Sequence, residues 1–114
     1  MKYGVTLSNG NFNYYDIANG LWDSGLANTQ DITRELQNLG ANAVDTAQVL
    51  HYQLGSSLEV IADALDDGAT FSYRDVADGI WNSGHGFNTG KLAKLLRDEG
   101  ASWDVAVAAI DAVT

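Results

Sequence analysis

Residues 12–25 and 71–84 are nearly one segment written twice, agreeing at eight of fourteen positions, among them Phe12 and Phe71, Tyr14 and Tyr73, and Trp22 and Trp81. After a one-residue shift the correspondence continues through Asn28 and Asn88, Leu36 and Leu96, and Gly40-Ala41 and Gly100-Ala101. Repetition constrains the fold before any other property, because each unit must bury its apolar stripe against a neighbour. The pattern predicts a single all-α repeat domain over 1–114, with pseudo-two-fold copies at about 12–56 and 71–114 and an extended arm at 1–11.

A finer period lies beneath the duplication. Glycine closes a segment at Gly25, Gly40, Gly55, Gly68, Gly84 and Gly100, at steps of 15, 15, 13, 16 and 16 residues. Apolar residues precede each glycine at helical spacing, as in Ile17, Ala18, Leu21 and Trp22, or Leu58, Ile61, Ala62 and Leu65. A last such stretch is Trp103, Ala106, Ile110 and Val113. Glycine after the final apolar position stops a helix because it takes the left-handed conformation without strain. Starts are marked by a capping oxygen three residues before an acid: Asn13 and Asp16, Asn28 and Asp31, Asn42 and Asp45, Ser56 and Glu59, Ser72 and Asp75. Thr89 and Ser102 serve as caps for the remaining two. Seven short helices follow, at 14–24, 29–39, 43–54, 57–67, 73–83, 90–99 and 103–113. None is long enough to be stable alone in water, so they must pack as helical hairpins in a compact bundle or short solenoid.

In the arm, Tyr3, Val5 and Leu7 alternate before the turn-like residues 8–11. A lone strand has unpaired edges and needs a partner, either its own chain or the same segment of a second copy, which makes a homodimer one expectation. The opening segment has no apolar block of the secretory type, so the expectation is a cytoplasmic protein if the chain is full-length and a secreted one if it is an excised fragment. No apolar run approaches the roughly 18 residues of a membrane span.

The absence of cysteine from the sequence removes thiolate metal sites and cysteine nucleophiles. Fifteen acids against six bases give a net charge of −9, which argues against direct nucleic-acid contact and for a basic partner. Capping accounts for a third of the acids, since a carboxylate favours the positive start of a helix. Charge is segregated otherwise: Glu59, Asp63, Asp66 and Asp67 form a negative face on the fourth helix, and Lys91, Lys94 and Arg97 a positive face on the sixth. The two faces are expected either to be solvated or to meet between molecules in head-to-tail assembly. Residues 63–68 do not make a calcium loop: with Gly68 at the loop's sixth position, Leu65 stands at a ligand position and Arg74 replaces the closing glutamate.

Trp22 and Trp81 occupy equivalent places on apolar stripes, where they either pack in the core or line paired pockets. His85, between Gly84 and Gly86, lies in the loop where the copies differ most and is a candidate ligand contact. Ser24 and Ser83 have no histidine and acid at a recognised spacing, and no phosphate-binding glycine loop is present, so neither catalysis nor a cofactor is expected.

Residues 36–40, followed by Ala47, Leu50, Gly55, Ala62 and Leu65, are similar in spacing to a ubiquitin-associated domain, but Leu39-Gly40-Ala41 stands where that family has Met-Gly-Phe or Met-Gly-Tyr. Asp23-Ser24-Gly25-Leu26 resembles the carrier-protein Asp-Ser-Leu motif with a glycine inserted. The leading expectation is a non-enzymatic protein-interaction or self-assembly module. The alternatives are a small-molecule binder with pockets near Trp22 and Trp81, and an acidic inhibitor that fills a partner's nucleic-acid-binding groove.

Overall fold

The computed structural model describes residues 7–8, 12–25, 27–83 and 89–114. Among these, seven helices follow one another: α1 (Tyr14–Asp23), α2 (Thr29–Asn38), α3 (Ala43–Tyr52), α4 (Leu58–Asp63), α5 (Tyr73–Trp81), α6 (Thr89–Asp98) and α7 (Trp103–Val113). The fold is all-α, as the periodicity requires. Of the arm, β1 (Leu7–Ser8) pairs antiparallel with β2 (Phe12–Asn13), so this short strand finds its partner within its own chain.

Side-chain chemistry sets the helix starts where it was anticipated. The Asn28 side chain accepts from the Asp31 amide while the Asp31 carboxylate accepts from the Asn28 amide, a complete capping box. Asn13, Asn42, Ser72 and Ser102 cap α1, α3, α5 and α7. The cap of α4 is Ser57 rather than Ser56, one residue later than the spacing suggests. At the other ends, Gly25, Gly40, Gly55 and Gly100 all have positive φ, between 67° and 103°. The α2 and α6 endings are alike in detail: the amide of Ala41 bonds the carbonyl of Leu36, and that of Ala101 bonds the carbonyl of Leu96.

Gly68 works differently from the other segment-closing glycines. Residues Ala64–Gly68 continue α4 as one π-helical turn, with Ala69 N bonded to Ala64 O at 3.2 Å. The turn lies against α2 so closely that a Cβ on Gly68 would stand 2.8 Å from Gln30 Cα. Gln30 donates to Asp63 at 2.6 Å, and Gln37 accepts from the Thr70 amide at 3.0 Å, so α2 grips both ends of the turn.

The molecule is elongated, 43 × 26 × 22 Å, and has two apolar clusters that share α3. Tyr14, Ala18, Ile32, Leu36, Ala41 and Val49 close the smaller one, among α1, α2 and α3. The larger unites Ala43, Ala47 and Leu50 of α3 with α4, α5, α6 and α7, through Ile61, Leu65, Val76, Ile80, Leu92, Leu96 and Ala106 among others. The arrangement is compatible with duplication: Tyr14 Oη donates to the carbonyl of Leu39 at 3.5 Å, and Tyr73 Oη to that of Glu99 at 3.0 Å, an equivalent pair of bonds.

Gly79 is the tightest joint between the two units, since a Cβ there would lie 2.7 Å from the Ala43 carbonyl oxygen. Its counterpart Gly20 has no described atom within 4 Å of the same position. Gly79→Ala is expected to lower stability by about 1–3 kcal/mol through overpacking, whereas Gly20→Ala raises it by about 0.5–1 kcal/mol through the ordinary helix preference for alanine. Urea unfolding of both variants, followed by circular dichroism, measures the contrast.

Candidate functional site

The fourth and sixth helices are in contact, and one ion pair joins the acidic face to the basic one. Lys91 Nζ pairs with Glu59 Oε2 at 2.9 Å, and this bond holds the Glu59 carboxyl below the usual carboxylate range. Lys94 pairs within its own helix with Asp98 at 2.8 Å, which raises its ammonium pKa. Arg97 donates to the carbonyl of Ala101 at 2.7 Å, and its guanidinium sits 4.4 Å from the Trp103 ring centroid, a cation–π contact. Each of the three bases therefore has an intramolecular partner. The ion pairs are solvent-exposed and weak.

The remaining acids gather at the other end of α4. Asp63, Asp67 and Glu99 bring carboxylate oxygens within 4.8 Å of one another, Asp63 and Asp67 from the π-helical region and Glu99 from just past the end of α6. Burial first, then the charges of Asp63, Asp67 and Asp66, pushes the Glu99 carboxyl up to about 7 from its ordinary 4.5. Asp67 is raised as well, chiefly by its hydrogen bond with Asp63. Three carboxylates supply three to six oxygens, so a calcium ion there would complete its shell with water or carbonyls. Glu99 has no marker in the sequence, because its surroundings come from α4, some thirty residues away.

The two tryptophans part company. Trp81 is half-buried against the larger core, whereas Trp22 is 46% exposed and edges an open groove of about 450 Å³ with Gly25, Ala27, Asn28, Thr29 and Asp31. A second open groove, about 530 Å³, runs between the start of α2 and Glu59, Val60 and Asp63 of α4. Both are troughs on the surface with mixed polar and apolar walls. His85 lies outside the described residues.

The largest departure from the sequence pattern is α7. Its stripe of Ala106, Ala109, Ile110 and Val113 packs inward, but Trp103, assigned to that same stripe, is 71% exposed. Val107 is 63% exposed and Val105 43%, with Ala108 and Ala112 also outward. Trp103 and Val107 are one turn apart, so they make one apolar edge beside the half-buried Ile110. The corresponding residues of the N-terminal unit are Ala43, Ala47 and Leu50, and these are buried against the helices that follow them. What α3 hides, α7 displays.

Compared with known proteins, the chain matches no family model, no curated protein and no solved structure.

The raised Glu99 carboxyl fixes a pH dependence. Its folded-state pKa lies above its unfolded value, so between about 4.5 and about 7 the folded protein binds more protons than the unfolded chain, and stability falls as pH rises through that window. Asp67 acts in the same direction. Melting temperature is expected to rise on acidification from pH 8 to pH 5.5, and Glu99→Gln to melt higher than the parent at pH 8 and to show a flatter profile. Differential scanning calorimetry across this range checks both.

Proposed function

We propose that the protein is a non-enzymatic interaction module that docks a protein surface onto the outer face of α7. The observation that carries this reading is the exposure of Trp103 on α7, beside Val107 and Val105. The outer face of a helix in a folded domain is ordinarily polar, because an apolar one invites further packing. Tryptophan also contributes heavily when it is buried at an interface.

Other features favour docking over small-molecule chemistry. The grooves near Trp22 and α4 are open, whereas ligand sites bury most of the ligand in a concave cavity. Lys91, Lys94 and Arg97 each already have a partner within the molecule, Glu59, Asp98 and the Ala101 carbonyl, so a docking protein gains more from the apolar face than from pairing with them. The acidic surplus then acts as a solubilising coat and excludes polyanions from the same face.

A photoreactive residue at position 107, in the cells that make the chain, is expected to yield a specific protein adduct identified by mass, which Trp103→Glu abolishes. The same probe at the exposed position 35 on α2 should give none. Equal labelling at 35 and 107, or no adduct at 107, overturns the reading.

A further inference from the structure

We infer that the partner of α7 is α1 of a second copy, so that the chain joins head to tail by repeating between molecules the contact that α3 makes with α5 inside one. This rests on the reading of α7 as a docking face and commits it to an occupant. Within the chain, the start of α3 sits on the C-terminal half of α5: Gly79 lets the Ala43 backbone approach to where a Cβ would clash, and Ala47 and Leu50 continue the contact into the core formed with Val76, Ala77 and Ile80. Both sides of that joint recur at the two ends of the molecule. Trp103, Val107 and Ile110 of α7 correspond to Ala43, Ala47 and Leu50; Ile17, Ala18, Gly20 and Leu21 of α1 correspond to Val76, Ala77, Gly79 and Ile80.

The receiving side is open to match. No described atom lies within 4 Å of a Cβ built on Gly20, and Ile17 and Leu21 are only half-buried where Val76 and Ile80 are fully so. Two pairs are unequal, Trp103 in place of Ala43 and Val107 in place of Ala47, so the α7 side of the new joint carries the larger side chains. Such a joint uses different surfaces on the two copies, so it propagates as an open row rather than closing as a symmetric dimer. The new joint has no counterpart of α4, which seals the internal one with Ile61 and Leu65, so it buries less and is weaker.

Charge sets the salt dependence. Asp23 on the α1 side and Asp104 on the α7 side are both exposed acids, on molecules of net charge −9. Joining is therefore opposed by repulsion that salt screens, and added salt strengthens it. Joining through the acidic and basic faces of α4 and α6 predicts the reverse.

Sedimentation equilibrium of the purified chain from about 10 µM to about 1 mM, a range that resolves weak association, tests this at low and high salt. The average mass of the parent is expected to at least double across the range, more readily at high salt. Gly20→Ala places a methyl group where the incoming helix must sit while leaving the fold at least as stable, and Val107→Glu removes the opposite side at an exposed position; each is expected to stay monomeric. Mixed together, they should form a dimer and nothing larger, because one has an intact α7 face and the other an intact α1 face. A parent that stays monomeric at every concentration and salt overturns the inference, as does association that weakens with salt. Gly20→Ala associating like the parent also overturns it, but leaves α7 as a docking face for another surface. A position-107 adduct made only with a different protein has that same meaning.

Discussion

The seating of α3 on α5 holds the two halves of this protein together, and it depends on a backbone approach that only glycine at position 79 permits. Because the approach is so close, Ala43, Ala47 and Leu50 reach across to Val76 and Ile80, and one helix serves two apolar clusters. A second glycine does the same for the linker: Gly68 lets the π-helical turn after α4 lie on the backbone of α2. No single helix is long enough to be stable alone, so the fold depends on close joints such as these and the apolar area they make possible.

Elements were legible in the sequence because their signals are local. A capping oxygen and a left-handed glycine act within a few residues of where they stand, and α1, α2, α3, α5, α6 and α7 begin and end within about two residues of where those signals place them. The fourth helix shows where local signals run out. Its glycine falls 13 residues after the last rather than 15 or 16, and that shortened step is the one trace of a segment whose shape is set by contact with α2. Ser57 takes the cap in place of Ser56 in the same helix, which leaves Glu59 to pair with Lys91 instead of closing a capping box.

The candidate sites were less legible, and Trp22, Trp103 and Glu99 each show why. Periodicity identifies which stripe of a helix is apolar, but not whether another element arrives to cover it. Trp81 packs against the larger core and Trp22 is 46% exposed, though the segments around them are nearly identical. Trp103 fits the spacing of the inward stripe and still points outward beside Arg97. Glu99 becomes unusual only through acids on α4 that no spacing rule connects to it. Charge segregation between α4 and α6 was visible from the sequence, but not that a single ion pair, Glu59 with Lys91, would join the two faces within the molecule while Lys94 turns to Asp98 of its own helix.

Gly20 on α1 and the outer edge of α7 are outward surfaces whose counterparts in sequence, Gly79 and Ala43 with Ala47, are buried, and a chain can blunt such surfaces or use them. This chain leaves small or apolar residues at both, Gly20 at one and Trp103 with Val107 at the other. The net charge of −9 sets a repulsion between these surfaces and any other acidic molecule. Apolar ends supply a short-range attraction that salt hardly touches, while the acidic body supplies a longer-range repulsion that salt screens. The balance favours contacts that are specific in geometry and limited in extent, because only a partner presenting the right recess for Trp103 recovers enough apolar burial to offset the approach of so much like charge. An unblunted end on so acidic a molecule is therefore better suited to a selective joint than to indiscriminate aggregation.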